Sequence, residues 1–89
     1  MSITLNIPPL IRHIVGERAV NIEGSTIGEC LNDFISRFPE ARDYIFDREG
    51  QLYDHILILH NGMSAYCGGL VTSVNPGDEL NLLFMITGG

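Results

Sequence analysis

Apolar and polar residues alternate in two runs near the start of the chain, as is typical of β-strands with one buried face. The first run is ITLNI (residues 3–7), and Pro8-Pro9 ends it because proline cannot donate a hydrogen bond to a sheet ladder. The second run is AVNIEG (residues 19–24). Together they predict an N-terminal β-hairpin with a long turn.

Helical spacing replaces this alternation after Thr26. Glu29 follows three residues later, and this pair is typical of a capping box at a helix N-terminus. The apolar positions that follow have the i, i+3, i+4, i+7 spacing of an amphipathic helix, and they are Ile27, Cys30, Leu31, Phe34, Ile35 and Phe38. Because Pro39 ends the pattern, we expect one main helix over residues 27–38, with a further helical turn in PEARDYIF (39–46).

Three later runs predict the remaining strands. HILILHNG (55–62) is rich in β-branched residues and ends in the turn dipeptide Asn-Gly, so it predicts a third strand and a tight turn. SAYC (64–67) predicts a short fourth strand. NPGDEL (75–80) is a turn cluster, and it starts a last strand that we expect over residues 80–86.

The order of these elements indicates a fold class. The order is strand, strand, helix, strand, short strand, strand, and a single amphipathic helix can cover only one face of a sheet. We therefore expect an α+β protein of the β-grasp (ubiquitin-like) type, with a mixed sheet of four to five strands. The expected domain spans residues 1–87, and residues 88–89 form a flexible C-terminal Gly-Gly tail.

Composition favours one folded domain and argues against several kinds of partner. The chain has 89 residues, of which 45% are hydrophobic and 18% are charged, as in globular proteins. Its net charge of −6 repels phosphate backbones, so we do not expect nucleic-acid binding. The longest apolar run, Leu82 to Ile86, is too short to span a membrane, and we expect a cytoplasmic protein without a membrane partner.

The residue types that usually hold metals or perform catalysis form no recognisable motif. His13, His55 and His60 lack metal-ligand spacing, and two cysteines are too few for a four-thiolate site. We therefore expect no metal site, no catalytic residue and no bound cofactor. Cys30 lies on the apolar face of the predicted helix and is interpreted as a buried thiol. Cys67 has two interpretations, a structural thiol or a transient sulfur relay.

The sequence ends in LLFMITGG, so that an apolar run leads directly into Gly88-Gly89. A Gly-Gly ending occurs by chance in about 0.5% of chains, and the dipeptide alone therefore establishes no role. Glycine nevertheless fits a narrow passage in which a Cβ atom would clash. Four extended residues reach roughly 13 Å at about 3.3 Å each, which is long enough to enter a buried site of a partner.

The last predicted strand has two apolar faces. One set is Leu80, Leu82, Phe84 and Ile86, and the other is Asn81, Leu83 and Met85. Because Asn81 is polar, we expect its set to point away from the helix. Leu83 and Met85 would then form a partner-docking patch beside the tail, which Leu57 and Leu59 would extend. The alternative is that these are isolated surface residues.

Several short motifs together resemble a known family over essentially the whole chain. They are GSTIGECL at the start of the helix, HNG after the third strand, NPGDEL before the last strand, and ITGG at the end. In these motifs the chain is similar to the ubiquitin-like sulfur-carrier family (MoaD/ThiS type), which includes the small subunit of molybdopterin synthase and the thiazole-biosynthesis carrier. YCGGLVTSVNPGDEL is similar to carriers that feed a cysteine synthase. LLFMI departs from the proline pair of many molybdopterin-synthase subunits.

This resemblance implies a function for the tail formed by Thr87, Gly88 and Gly89. A ubiquitin-activating-like adenylyltransferase would use ATP to convert the Gly89 carboxylate into an acyl adenylate. A sulfur donor would then convert the adenylate into a thiocarboxylate, and a sulfur-accepting synthase would take the sulfur for molybdopterin, thiamine or cysteine biosynthesis. The chain would be a co-substrate without catalysis of its own.

Two other functions remain open, namely a protein modifier attached through Gly89 and an interaction module with an inert tail. One feature favours the sulfur carrier over the modifier. All five basic residues are arginines, and they are Arg12, Arg18, Arg37, Arg42 and Arg48. Because the chain has no lysine, it cannot build lysine-linked chains of itself.

Overall fold

The computed structural model describes residues 2–65 and 69–85. The strands are β1 (Ile3–Asn6), β2 (Ala19–Ile22), β3 (Ile56–His60), β4 (Met63–Ser64) and β5 (Glu79–Phe84). The helices are α1 (Arg12–Val15), α2 (Ile27–Arg37) and α3 (Arg42–Ile45), and short 3-10 turns occupy Pro9–Ile11, Pro39–Ala41 and Gly69–Val71. Within these described residues, no helix is long and apolar enough to cross a membrane.

The five strands form one mixed sheet in the order β2-β1-β5-β3-β4. β1 pairs with β2 as an antiparallel hairpin and with β5 in parallel, whereas β5 and β3 are antiparallel. The last strand is therefore the central strand of the sheet. This arrangement, with one long helix, confirms the prediction of an α+β β-grasp fold.

The core lies between α2 and the inner face of the sheet. Helix α2 contributes Ile27, Cys30, Leu31 and Phe34, all of which are fully buried. The sheet contributes apolar residues from four strands, and they are Ile3, Leu5, Ile22, Ile56, Ile58, Leu80 and Leu82. Removing this apolar surface from water is the main stabilising contribution to the fold.

Capping determines where α2 begins. The Oγ1 atom of Thr26 accepts a hydrogen bond from the backbone N–H of Glu29 at 3.2 Å, which confirms the predicted N-cap. The Glu29 carboxylate accepts from the backbone N–H of Ser25 at 2.9 Å, one residue before the N-cap. The helix ends at Arg37, one residue earlier than expected, because Phe38 is a C-cap residue with a non-helical backbone before the next turn.

Two glycines allow the backbone to pack closely around α2. A Cβ atom on Gly24 would lie 2.6 Å from the backbone nitrogen of Cys30, and no side chain fits there without a shift of the helix. A Cβ atom on Gly28 would lie 3.0 Å from the carbonyl oxygen of Leu70, which belongs to the 3-10 turn packed against the helix.

The structure corrects the predicted positions of two strands. The short strand is Met63–Ser64 and begins one residue earlier than expected, because the two-residue turn after His60 places Met63 directly opposite it. Of the predicted segment, residues 66–67 lie outside the described residues. The last strand begins at Glu79, because that residue already pairs with β1, and its ladder ends at Phe84.

Candidate functional site

The base of the tail is the carboxyl end of the central strand. Met85 is the last described residue, and its backbone N–H donates a hydrogen bond to the carbonyl oxygen of His55 at 2.7 Å. The predicted tail residues Thr87, Gly88 and Gly89 lie outside the described residues. The sheet therefore holds the chain up to the residue before Ile86, because β5 pairs with β1 over residues 79–81 and with β3 over residues 80–84.

Consecutive residues of β5 lie on opposite faces of the sheet, as predicted. Leu80 and Leu82 are 0% and 1% exposed and belong to the core. Leu83 and Met85, on the other set of positions, are 40% and 43% exposed. Apolar side chains of this size are unusual on a surface when they stand together, and this places an apolar surface beside the base of the tail.

The neighbouring strand continues this surface. Leu57 lies directly opposite Leu83, and Leu59 lies opposite Asn81, in the antiparallel register of β3 and β5. Both leucines are half-buried, whereas Ile56 and Ile58 on the alternate positions are buried in the core. We call the surface formed by Leu57, Leu59, Leu83 and Met85 the outer patch. All four residues named from the sequence thus share one face of the sheet.

Polar groups border the outer patch on the side of β1. The Asn6 side-chain amide donates to the Asn81 side-chain carbonyl at 2.9 Å across the parallel pair of strands. The register places the following described strand residues on the same face: Thr4, Asn6, Ala19, Asn21, Leu57, Leu59, Ser64, Glu79, Asn81 and Leu83. Arginine does not occur among them, and Glu79 is the single carboxylate.

A groove of about 450 Å³ adjoins the outer patch along the edge of β3. Leu57 and Met85 form part of its wall, and Tyr53, Asp54 and Ser64 line it as well. The sequence did not indicate this groove, because its walls come from several segments that are separate in sequence and share no motif. The groove places a carboxylate, a phenol and a hydroxyl close to the base of the tail.

Comparison with known proteins identifies the family. The chain is 32% identical over 82 residues to small archaeal modifier protein 1 of Haloferax volcanii, an alignment that covers 89% of this chain and 91% of the relative. It is 28% identical over 93 residues to sulfur carrier protein CysO of Mycobacterium tuberculosis, with all of both chains covered. The chain belongs to the ubiquitin-like sulfur-carrier family. No family model matches it.

A solved structure of the family agrees with the fold. A chain in the crystal structure of the Amycolatopsis orientalis BexX/CysO complex superposes with a TM-score of 0.87 at 30% identity, covering 98% of this chain and 99% of that chain. The similarity to sulfur carriers thus extends over the β-grasp domain as a whole, which confirms the resemblance seen in the motifs.

In a sulfur carrier the cysteines are of particular interest, because a thiolate can accept or relay sulfur. Cys30 is fully buried among core residues, and burial raises the pKa of its thiol, with the carboxylates of Asp33 and Glu29 adding to the effect. A buried thiol with a raised pKa is a poor nucleophile, so the interpretation of Cys30 as structural is supported. Cys67 lies outside the described residues.

Two of the histidines, His60 and His55, contact neighbouring side chains. His60 Nε2 lies 2.8 Å from Asp78 Oδ2, and the backbone N–H of Asn75 donates to the same oxygen at 2.8 Å. These hydrogen bonds lower the pKa of Asp78 to about 2, and the bond from Asn75 has the largest effect. His55 stacks against Tyr53, with ring centroids 5.1 Å apart. Among residues 2–65 and 69–85, no group of three His, Cys, Asp or Glu side chains could hold a metal ion.

Proposed function

We propose that this chain carries sulfur as a thiocarboxylate on Gly89 and delivers it to a biosynthetic enzyme. The observation that carries the proposal is the alignment with CysO, which covers the whole of both chains and therefore includes the Gly-Gly ending. In this proposal the chain is a co-substrate that performs no catalysis and binds no cofactor of its own.

The chemistry of the proposed cycle explains why a carboxylate is used. A carboxylate oxygen of Gly89 attacks the α-phosphorus of ATP on the activating partner, and pyrophosphate leaves. The acyl adenylate is a far better electrophile than the carboxylate. With hydrosulfide as the donor, its sulfur attacks the carbonyl carbon, the bond to the AMP oxygen breaks, AMP leaves with the electron pair, and the sulfur loses its proton, so that a thiocarboxylate remains. Sulfur is thereby carried without the release of free sulfide.

The described geometry supports this use of the tail. β5 is the central strand, and its pairing with β3 together with the bond from Met85 to His55 holds the chain as far as Met85. Residues 86–89 can reach roughly 13 Å from that point at about 3.3 Å per residue. The reacting carboxylate is thus offered at the end of a slim segment on a fixed base.

We propose that the activating partner docks on the outer patch. The patch lies on the strand that leads into the tail, so a partner that covers Leu83 and Met85 also receives residues 86–89. Because its centre is apolar and carries no arginine, we expect the partner to present apolar side chains there. The relative CysO forms a complex with BexX, and we propose that this chain likewise docks on a sulfur-accepting synthase.

Intact-protein mass spectrometry tests the chemistry. The chain is incubated with its activating enzyme, ATP and a sulfur source, and the C-terminal peptide should gain the mass difference between sulfur and oxygen. Deletion of Gly89 should abolish the gain, and omission of ATP is the matching control. An unmodified C-terminal peptide with an active partner present would refute the proposal.

Surface variants test the docking site. Leu83→Asp and Met85→Asp should weaken binding to the activating enzyme in proteins that stay folded, with a smaller fall in melting temperature than substitution of the buried Leu82 causes. Asn21→Asp is the matched control, because it adds the same charge on the same face at the far strand β2. Equal binding by all three variants would place the interface elsewhere.

The name of the relative in Haloferax volcanii supports a second candidate function, since that protein is called a modifier. In this case Gly89 would form an isopeptide bond with the lysine of a target protein. Denaturing gels of cells that express a tagged chain distinguish the two functions. Ladders of conjugates that require Gly89 indicate a modifier, and a thiocarboxylate without conjugates indicates a carrier.

A further inference from the structure

The chain contains arginine as its sole basic residue apart from histidine, and no lysine occurs in the sequence. This matters for an activated carboxyl group, because a primary amine attacks an acyl adenylate and forms a stable amide. The arginine guanidinium stays protonated in proteins and does not act as such a nucleophile. No side chain of this protein therefore offers a primary amine to Gly89.

The sheet topology also separates the amino end of β1 from the tail. β1 and β5 are parallel, and Thr4 lies opposite Glu79 at the start of β5. Met85 lies about 20 Å further along the sheet at about 3.3 Å per residue, whereas residues 86–89 reach only about 13 Å. An α-amino group at that end of β1 is out of reach of Gly89 in the same molecule.

The surroundings of the tail base contain weaker nucleophiles. Tyr53, Asp54 and Ser64 line the groove that Met85 borders, and they supply a phenol, a carboxylate and a hydroxyl. The imidazole of His55 lies near Met85, stacked between Tyr53 and Phe84. An acyl group on an imidazole is hydrolysed and leaves no lasting adduct.

The following inference rests on the proposed function. We propose that no group of this protein forms a lasting bond with its own activated carboxyl group, so that the acyl group passes only to sulfur donors or to other molecules. The reaction avoided is simple. An amine nitrogen attacks the carbonyl carbon of Gly89, a C–N bond forms, the bond to the AMP oxygen breaks, AMP leaves with the electron pair, and the nitrogen loses a proton to solvent.

Lysines introduced at chosen positions test the inference on the full chain. Asp54→Lys and Ser64→Lys each place an amine in the groove that Met85 borders. Glu23→Lys makes the same change of charge as Asp54→Lys at the opposite end of the sheet, after the residue that pairs with Ile3. Asp54→Arg adds the same charge at position 54 without an amine.

Each variant is prepared with a C-terminal thioester on Gly89 by cleavage from an intein fusion. The thioester presents the same carbonyl carbon as the adenylate, with a thiol as the leaving group, and it requires no activating enzyme. Because no activating enzyme takes part, a negative result here counts against this inference alone and not against the proposed function. The products are read by intact mass, and the linkage is mapped by peptide mass spectrometry.

Asp54→Lys and Ser64→Lys should form a cyclised monomer that is lighter by one water molecule than the hydrolysed acid. At about 10 µM protein, an effective concentration on the order of 1 mM favours this product about 100-fold over dimers. The wild type and Asp54→Arg should only hydrolyse, and Glu23→Lys should give no cyclised monomer. Cyclisation of the wild type, or of neither groove variant, would overturn the inference.

Discussion

Leu82 and Leu83 are consecutive residues of β5, and truncating each to alanine tests the assignment of the two sheet faces. Leu82 is 1% exposed, and Leu82→Ala leaves a cavity in the core, for which the usual cost is about 2–5 kcal/mol. Leu83 is 40% exposed. Complete burial of a leucine stabilises by about 1.5–3 kcal/mol, so we expect Leu83→Ala to cost only about 1 kcal/mol.

Urea denaturation and thermal melting of the two variants measure this difference. A domain of this size has a free energy of unfolding of about 4–13 kcal/mol, so Leu82→Ala removes a large part of it. A loss of 1 kcal/mol lowers the melting temperature by about 4–8 °C in small domains. Leu82→Ala should therefore lower it by about 12–24 °C if its cost is about 3 kcal/mol, and Leu83→Ala by about 4–8 °C.

When both variants are folded, Leu83→Ala should lose more affinity for the activating enzyme than Leu82→Ala. Leu83→Ala removes a side chain of the outer patch, whereas Leu82→Ala removes none of the exposed surface. Equal stability losses, or a larger loss for Leu83→Ala, would show that the faces of β5 are reversed or that another contact covers Leu83. In either case the outer patch could not be a free docking surface.

Three further measurements probe the fold. Because hydrogen bonds lower the pKa of Asp78 from 3.8 to about 2, its carboxylate contributes stability that is present above about pH 4 and is lost as the pH falls toward 2. Asp78→Asn should thus be less stable than the wild type at pH 7, with the difference shrinking toward pH 2 in urea titrations; a pH-independent difference would contradict this. Gly24→Ala should destabilise by about 1–3 kcal/mol, because its Cβ would lie 2.6 Å from the Cys30 nitrogen, and an unchanged urea midpoint would exclude that close contact. In a Cys67→Ser background, the Cys30 thiol should react with maleimide only after unfolding, and rapid labelling of the native protein would show that it is accessible.

The local elements of this protein were determined by the sequence itself. Alternating residues in the first run predict β1, and the Thr26–Glu29 pair predicts the start of α2 to the residue. The polar Asn81 was enough to predict which face of β5 is buried, because side chains alternate strictly along a strand. Such patterns are local, and they need no knowledge of which strands are neighbours.

The tertiary structure decided which of these elements meet. Periodicity shows that Leu57 and Leu59 lie on one face of β3. The position of Leu57 opposite Leu83 depends on the pairing of β3 with β5, about 25 residues away in sequence. The pairing of β3 with β4 likewise fixed the short strand at Met63–Ser64, and the folded chain brought Asp54 and Met85 to one groove. The groove could not be predicted from the sequence, and the four residues of the outer patch could be named but not given their pairing, because strand order is set by the packing of the whole core and not by the residues of any one strand.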